Sequence, residues 1–259
     1  MPTDYAAITE SAISIALEAG RIIRAAFPRT ALRTIVHKGA VNPVTEIDLA
    51  VEKFVISRLL ATYPEHRILS EEGGVVETDA SQRLSSPPDE TPAWVVDPLD
   101  GTNNFAHGFP HVAISIALEV GSTPVVGVIH DPLRGETFAG YQGGGCRLNG
   151  EPVRVSPVAR LADAFLAAGF PYDRRTAADN NVERLDHFLR RSQGVRRAGS
   201  AALDLAYVAC GRFDGFFEIR LCPWDVLAGI VLIREAGGRV TDFAGSENCT
   251  SGEAILASN

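Results

Sequence analysis

The chain has little of what would mark it for a membrane, a nucleic acid or an oxidising compartment. No apolar run in its 259 residues approaches the stretch of about eighteen needed to cross a bilayer. The amino terminus, Met1-Pro2-Thr3-Asp4, has none of the basic residues that open a secretory leader. Positive charge is also short: a net charge of -8 argues against a general binder of nucleic acid or anionic lipid, which would carry a basic face. The four cysteines, Cys146, Cys210, Cys222 and Cys249, make no C-x-x-C pair and no small disulfide framework, so reduced thiols and a cytoplasmic location are expected. The six histidines show no H-E-x-x-H spacing and no serine stands in a G-x-S-x-G elbow, which turns the reading away from zinc hydrolysis and serine acyl transfer. No internal repeat or low-complexity tract is present.

What the chain does have is acidic clusters at the ends of apolar runs, and 46% hydrophobic residues with which to bury a large core. The run Asp97-Pro98-Leu99-Asp100-Gly101-Thr102 follows the short apolar strand Ala93-Trp94-Val95-Val96. Read as a turn with proline second, it brings its first and fourth Cα atoms within about 7 Å, so Asp97 and Asp100 converge where a hard divalent cation binds. Gly101 and Thr102 then offer backbone N–H groups at the start of a short helix, a seat for phosphate. Alone, such a run is a common surface turn.

Three further clusters accompany it. Ile68-Leu69-Ser70 runs into Glu71-Glu72-Gly73-Gly74, and Trp224-Asp225 opens an apolar helical stretch ending at Gly237-Gly238. Thr45-Glu46-Ile47-Asp48 precedes the helical pattern of Val51, Phe54, Val55 and Leu59, with Thr45 and Asp48 placed as a capping box. Carboxylates without clustered thiol or imidazole partners point to magnesium or manganese.

Periodicity predicts a first helix ending near Phe27-Pro28 and a second from about Asp48 to Tyr63-Pro64. The stretch between Gly74 and Ala93, with SQRLSSPPDETP, reads as a surface loop. From His111 to Val155 the pattern is β, with a hairpin at Asn149-Gly150. From about Ser156, strands such as AFLAAGF and GFFEI alternate with helices at 180–191, 200–211 and 224–236. The expected architecture is an α+β half over residues 1–155 and an α/β half over 156–259.

The segments NPVTEID (42–48), ILSEEGG (68–74), WVVDPLDGTNNFAHGFP (94–110), GSAALDLAYVACGRFDGFFE (199–218) and PWDVLAGIVLIREAGG (223–238) resemble the signature blocks of the inositol monophosphatase family, in that family's order and at roughly its spacing. The resemblance covers nearly the whole chain. It implies a layered αβαβα sugar-phosphatase fold with metals near the junction of the halves, and Mg²⁺-dependent, lithium-sensitive hydrolysis of small polyol phosphomonoesters. Myo-inositol 1-phosphate is the first substrate it suggests. Histidinol phosphate, fructose bisphosphate and nucleotide 3'-phosphates are the alternatives, and some bacterial relatives also join transcription antitermination complexes.

The resemblance also implies roles. Glu71, Asp97 and the Leu99 carbonyl would hold a first metal, Glu71 also reaching a weaker third, while Asp97, Asp100 and Asp225 would hold a second. Thr102 and Asp48, the latter bonded through Thr45, would orient and deprotonate the attacking water. Gly101 and Thr102 would hold the phosphate, and Asp100, Gly199, Ser200, Ala201, Glu218 and Asp225 the alcohol portion. A departure stands at Arg220, where glycine is common in the family. Members are commonly homodimers, and neither a membrane nor direct nucleic-acid binding is implied.

Overall fold

The computed structural model describes residues 3–27, 36–37, 43–44, 46–76 and 91–259. In chain order the elements are α1 (Tyr5–Ala26), β1 (Val36–His37), β2 (Pro43–Val44), α2 (Glu46–Thr62), β3 (Arg67–Ser70), β4 (Gly74–Val76), β5 (Ala93–Asp100), α3 (Thr102–Ala106), β6 (Ala113–Val120), β7 (Thr123–Asp131), β8 (Glu136–Tyr141), β9 (Gly145–Leu148) and β10 (Glu151–Val153). Then follow β11 (Phe165–Ala168), α4 (Val182–Leu189), β12 (Gly194–Arg196), α5 (Ala201–Ala209), β13 (Gly215–Ile219), α6 (Pro223–Glu235), β14 (Arg239–Thr241) and β15 (Ala254–Ser258).

Two sheets carry the molecule. An eight-stranded sheet runs β10-β9-β8-β7-β6-β5-β3-β4, and a five-stranded sheet runs β12-β11-β13-β15-β14. The first is antiparallel except where β3 lies parallel to β5. In the second, β11 is parallel to β12 and β13, and β15 is antiparallel to both its neighbours. Helices α1 and α2 cover one face of the large sheet, α5 and α6 fill the space between the sheets, and α4 covers the outer face of the small one. This is the expected αβαβα layering.

The middle layer explains the continuous apolar runs in the sequence. Helix α6 buries Val226 to Ile233 without a break because it has a sheet on either side. It approaches the large sheet closely: a Cβ on Gly127 would lie 2.5 Å from the Ala228 carbonyl oxygen. Helix α1 faces only one sheet, and its buried Ala12, Ile15, Ala16, Ala19 and Ile23 follow the helical spacing. At the hairpin, Asn149 and Gly150 take φ of 50° and 87°, the conformation an Asn-Gly type I′ turn requires.

Three sequence expectations change. Residues 74–76 of the expected loop are β4, paired with β3, while residues 77–90 and Thr45 lie outside the described residues. Asp97 to Asp100 is not a tight turn. All of 93–100 is strand, and the pairing of β5 with β6 slips between Asp97, opposite Ser115, and Asp100, opposite Ala113. Three steps on β5 against two on β6 is a β-bulge, and it cancels the alternation that would send residues 97 and 100 to opposite faces. The structure has no tight turn there because β6 is present to pair with both ends. The short strands β12, β14 and β15 stand where no strand was expected.

Candidate active site

The bulge of β5, the turn after β3 and the first turn of α6 meet at one end of the middle layer. Oxygens of Asp97, Asp100 and Asp225 lie within 4.8 Å of one another, and those of Asp48, Glu71 and Glu72 form a second group of the same size. Each carboxylate is fixed by its own element. Asp97 accepts a hydrogen bond from Leu99 N–H at 3.0 Å, which holds the bulge. Asp100 accepts from the Ser200 hydroxyl at 2.5 Å and from Ala202 N–H at 2.8 Å, tying β5 to the amino end of α5. Asp225, third residue of α6, accepts from Cys222 N–H at 2.6 Å as the return half of a capping box. Gly101 then takes φ 88°, and a Cβ there would lie 2.9 Å from the His111 carbonyl oxygen, so glycine is required. The Thr102 hydroxyl donates to the Leu99 carbonyl at 3.0 Å, leaving that oxygen a second lone pair.

These groups are expensive to ionise together. Burial first, then the carboxylates of Glu71, Asp100, Asp225 and Asp48, hold the Asp97 carboxyl well above its ordinary range. Burial and Asp100 raise Asp225 to about 8. Asp100 rises only to about 6, because the Ser200 and Ala202 donors oppose burial. The largest influences on the three are burial, neighbouring carboxylates and hydrogen bonds, none of them from a lysine or arginine. Buried Asp97 and Asp100 and half-buried Asp225 face one point, a set that is stable at neutral pH when a metal cation shares it, and an all-oxygen set suits a hard divalent ion. The residues fit the metal the sequence implied.

A cavity of about 330 Å³ opens from this cluster. Glu71, Asp100, Gly101, Thr102 and Asp225 line its metal end, and Gly199, Ser200, Ala201 and Glu218 line the remainder, so the expected substrate residues share one space. Asp97, Asp48 and Leu99 lie buried beneath it. Glu218 is the next-to-last residue of β13, and burial followed by Asp225 and Asp100 raises its carboxyl to about 8. Gly169 is small because Glu218 occupies the space a side chain there would need.

Several residues that position the site gave no motif in the sequence. Glu52, one turn beyond Asp48 on α2, accepts from the Ser70 hydroxyl and from Glu72 and Gly73 N–H at 3.0 and 2.9 Å, which fixes the turn carrying Glu71. Its signal was the spacing of four from Asp48, which puts both on one helix face. Asn104 Nδ2 lies 2.9 Å from the Ala198 carbonyl and 3.2 Å from that of Gly199, joining α3 to the loop of Gly199 and Ser200. Asp204, buried in α5, lines the cavity floor 3.9 Å from His111 Nε2, and burial raises its carboxyl well above the usual range.

A carboxylate cluster able to share cations at one end of a polar cavity is a candidate divalent-metal site, and the family the chain matches makes it a phosphoric monoester hydrolase. Residues 4–259 match the inositol monophosphatase family, and the chain belongs to it. It is 41% identical over 255 residues to the Nus factor SuhB of Pseudomonas aeruginosa, covering 96% of this chain and 90% of that one. It is likewise 41% identical over 250 residues to inositol monophosphatase 3 of Solanum lycopersicum, with the same coverage. The solved inositol monophosphatase of Anabaena superposes with a TM-score of 0.87 at 39% identity, over 99% of this chain and 92% of that one. Among the described residues no helix is long and apolar enough to cross a membrane.

Proposed function

We propose that the protein hydrolyses small polyol phosphomonoesters with Mg²⁺, or Mn²⁺ in its place, and that myo-inositol 1-phosphate is its substrate. The observation that carries this is the junction of two features in one cavity: the Asp97, Asp100 and Asp225 cluster at one end, and Glu218 with the Gly199–Ala201 segment at the other. Carboxylates and backbone groups spaced along a wall suit vicinal hydroxyls. Glu71, Asp97, the Leu99 carbonyl, Asp100 and Asp225 would hold the cations. Bound there, they supply positive charge to the phosphate oxygens and lower the pKa of a water. Gly101 and Thr102 N–H groups hold the phosphate. Asp48, buried at the amino end of α2, accepts the proton of the attacking water, and Thr45 and the Thr102 hydroxyl orient that pair. Glu218, Ser200 and Ala201 fix the ring so that the ester oxygen faces the cluster. Such positioning and charge stabilisation account for most of phosphoryl-transfer catalysis. The solved Anabaena relative and the tomato relative, both named inositol monophosphatases, support the choice of substrate.

The test is a phosphate-release panel with and without Mg²⁺, comparing myo-inositol 1-phosphate with histidinol phosphate, fructose 1,6-bisphosphate and a nucleotide 3'-phosphate. The highest kcat/KM on inositol phosphate supports the reading, and preference for another ester replaces it. The name Nus factor carried by the Pseudomonas relative favours a second role, in a transcription complex. Pull-down of the Asp97→Asn variant from native lysate tests it: transcription proteins retained by the inactive variant support it, and their absence from wild type ends it. A cytoplasmic homodimer completes the reading, and light scattering on the purified protein checks the dimer.

A further inference from the structure

Arg220 is a backbone outlier at the edge of the cavity. Its φ is 57°, in the left-handed region that favours glycine, and it lies two residues beyond Glu218. A strained residue persists where its surroundings hold it, and such strain gathers at functional sites. Here the backbone is held by Arg220 N–H donating to the Glu253 carbonyl at 2.9 Å. The side chain, which lines the cavity, reaches the turn beyond it, where Nη1 donates to both Asp173 oxygens at 2.7 and 3.0 Å.

Asp173 belongs to the turn that follows β11. Gly169, Phe170, Pro171 and Tyr172 of that segment line the cavity. The turn closes on itself, with Arg174 N–H to the Pro171 carbonyl and Thr176 and Ala177 N–H to the Asp173 carbonyl. Among the described residues, the bond from Arg220 is the only polar link between residues 171–177 and anything outside 169–181. Tyr172 lines the cavity and is 55% exposed, so it stands at the border between the cavity and solvent.

We propose that Arg220 is a positioning residue for substrate selection: through Asp173 it holds Tyr172 across the mouth of the cavity, and Tyr172 sets which alcohol groups the site grips. This rests on the phosphomonoesterase reading and adds how the ring half is closed. A half-exposed ion pair shifts a loop population about threefold to fivefold, which sets the size of the effect.

The test uses the full chain with Mg²⁺. Arg220→Gly suits φ 57° and leaves the fold intact, and Asp173→Asn removes the charge from the other side. Each raises KM for myo-inositol 1-phosphate about threefold to fivefold while kcat stays within twofold. Glycerol 2-phosphate, which has no ring for Tyr172 to select, changes less than twofold. The double variant is no worse than either single one, Tyr172→Ala reproduces the KM effect, and deuterium uptake across 170–177 quickens in both single variants. Unchanged uptake in Arg220→Gly overturns the latch. Equal losses on both substrates overturn selection through Tyr172. A KM lowered by Asp173→Asn and raised by Arg220→Gly shows instead that Arg220 grips the substrate itself. Wild type inactive on every phosphomonoester would refute the phosphatase reading, and the uptake measurement would still decide the latch.

Discussion

Replacing Asp97 by asparagine changes the charge of the site at nearly constant volume. Asp97 is 2% exposed, and its bond from Leu99 N–H survives in the variant because the amide keeps an acceptor oxygen. The amide also offers an N–H toward the Asp100 and Asp225 carboxylates, whose oxygens lie within 4.8 Å. Burial, then the Glu71, Asp100, Asp225 and Asp48 carboxylates, hold the Asp97 carboxyl well above its ordinary range, so its charged form is costly in the metal-free fold. Neutralising it therefore returns about 1 to 2 kcal/mol to the metal-free protein, or roughly 2 to 6 °C in Tm for a chain of this size. With metal the sign reverses. A shared ligand loses its charge toward both cations, and kcat falls by about three to five powers of ten, or about 4 to 7 kcal/mol. Phosphate release and melting curves in chelator and in Mg²⁺ read both effects. A variant with wild-type kcat and the wild-type melting rise in Mg²⁺ would refute the reasoning, since a plain surface aspartate changes neither.

Other consequences follow from the same geometry. In metal-free protein Asp97, Asp100 and Asp225 hold protons more tightly folded than unfolded, so their stabilisation is complete below about pH 4 and is lost as pH rises through about 6 and then 8. Tm in chelator should fall across that window and saturating Mg²⁺ should flatten it; a rise in chelator contradicts the assignment. Glu218→Gln should raise KM for inositol phosphate about tenfold, near 1.4 kcal/mol, with Mg²⁺ affinity unchanged. Weakened Mg²⁺ binding in that variant, measured calorimetrically, would move Glu218 into the metal shell. Glu52→Ala leaves the Ser70, Glu72 and Gly73 donors without their acceptor and should cost about 2 to 3 kcal/mol of stability by chemical denaturation. Loss of less than half a kcal/mol would show that the Glu71 turn holds itself.

The site was more legible in the sequence than the geometry that builds it. Residue types that carry chemistry stand in short runs, so Glu71, Asp97, Asp100, Thr102 and Asp225 could be named and the structure gathers them. The bulge at 97–100 could not be read, because proline between two aspartates spells a turn locally and only pairing with Ser115 and Ala113 makes it a strand. Helix α1 was legible because one face is buried. Helix α6, expected over 224–236 and found over Pro223–Glu235, was legible from its apolar run closed by glycine, although both its sides are buried. Strands β12 and β14 are three residues long, too short for alternation to register, and β15 is set by its two antiparallel neighbours. Glu52 and Asp204 escaped notice because an acidic residue within a helix ordinarily faces solvent, and only the packed structure shows both buried.

Anomalous scattering from crystals soaked in Mn²⁺ tests the central claim most directly, since it locates the cations against the carboxylates. The account predicts two peaks about 4 Å apart with Asp97 between them, one toward Glu71 and the Leu99 carbonyl and the other toward Asp100 and Asp225. Crystals that bind Mn²⁺ elsewhere, with Asp97, Asp100 and Asp225 held by protein groups alone, would contradict it.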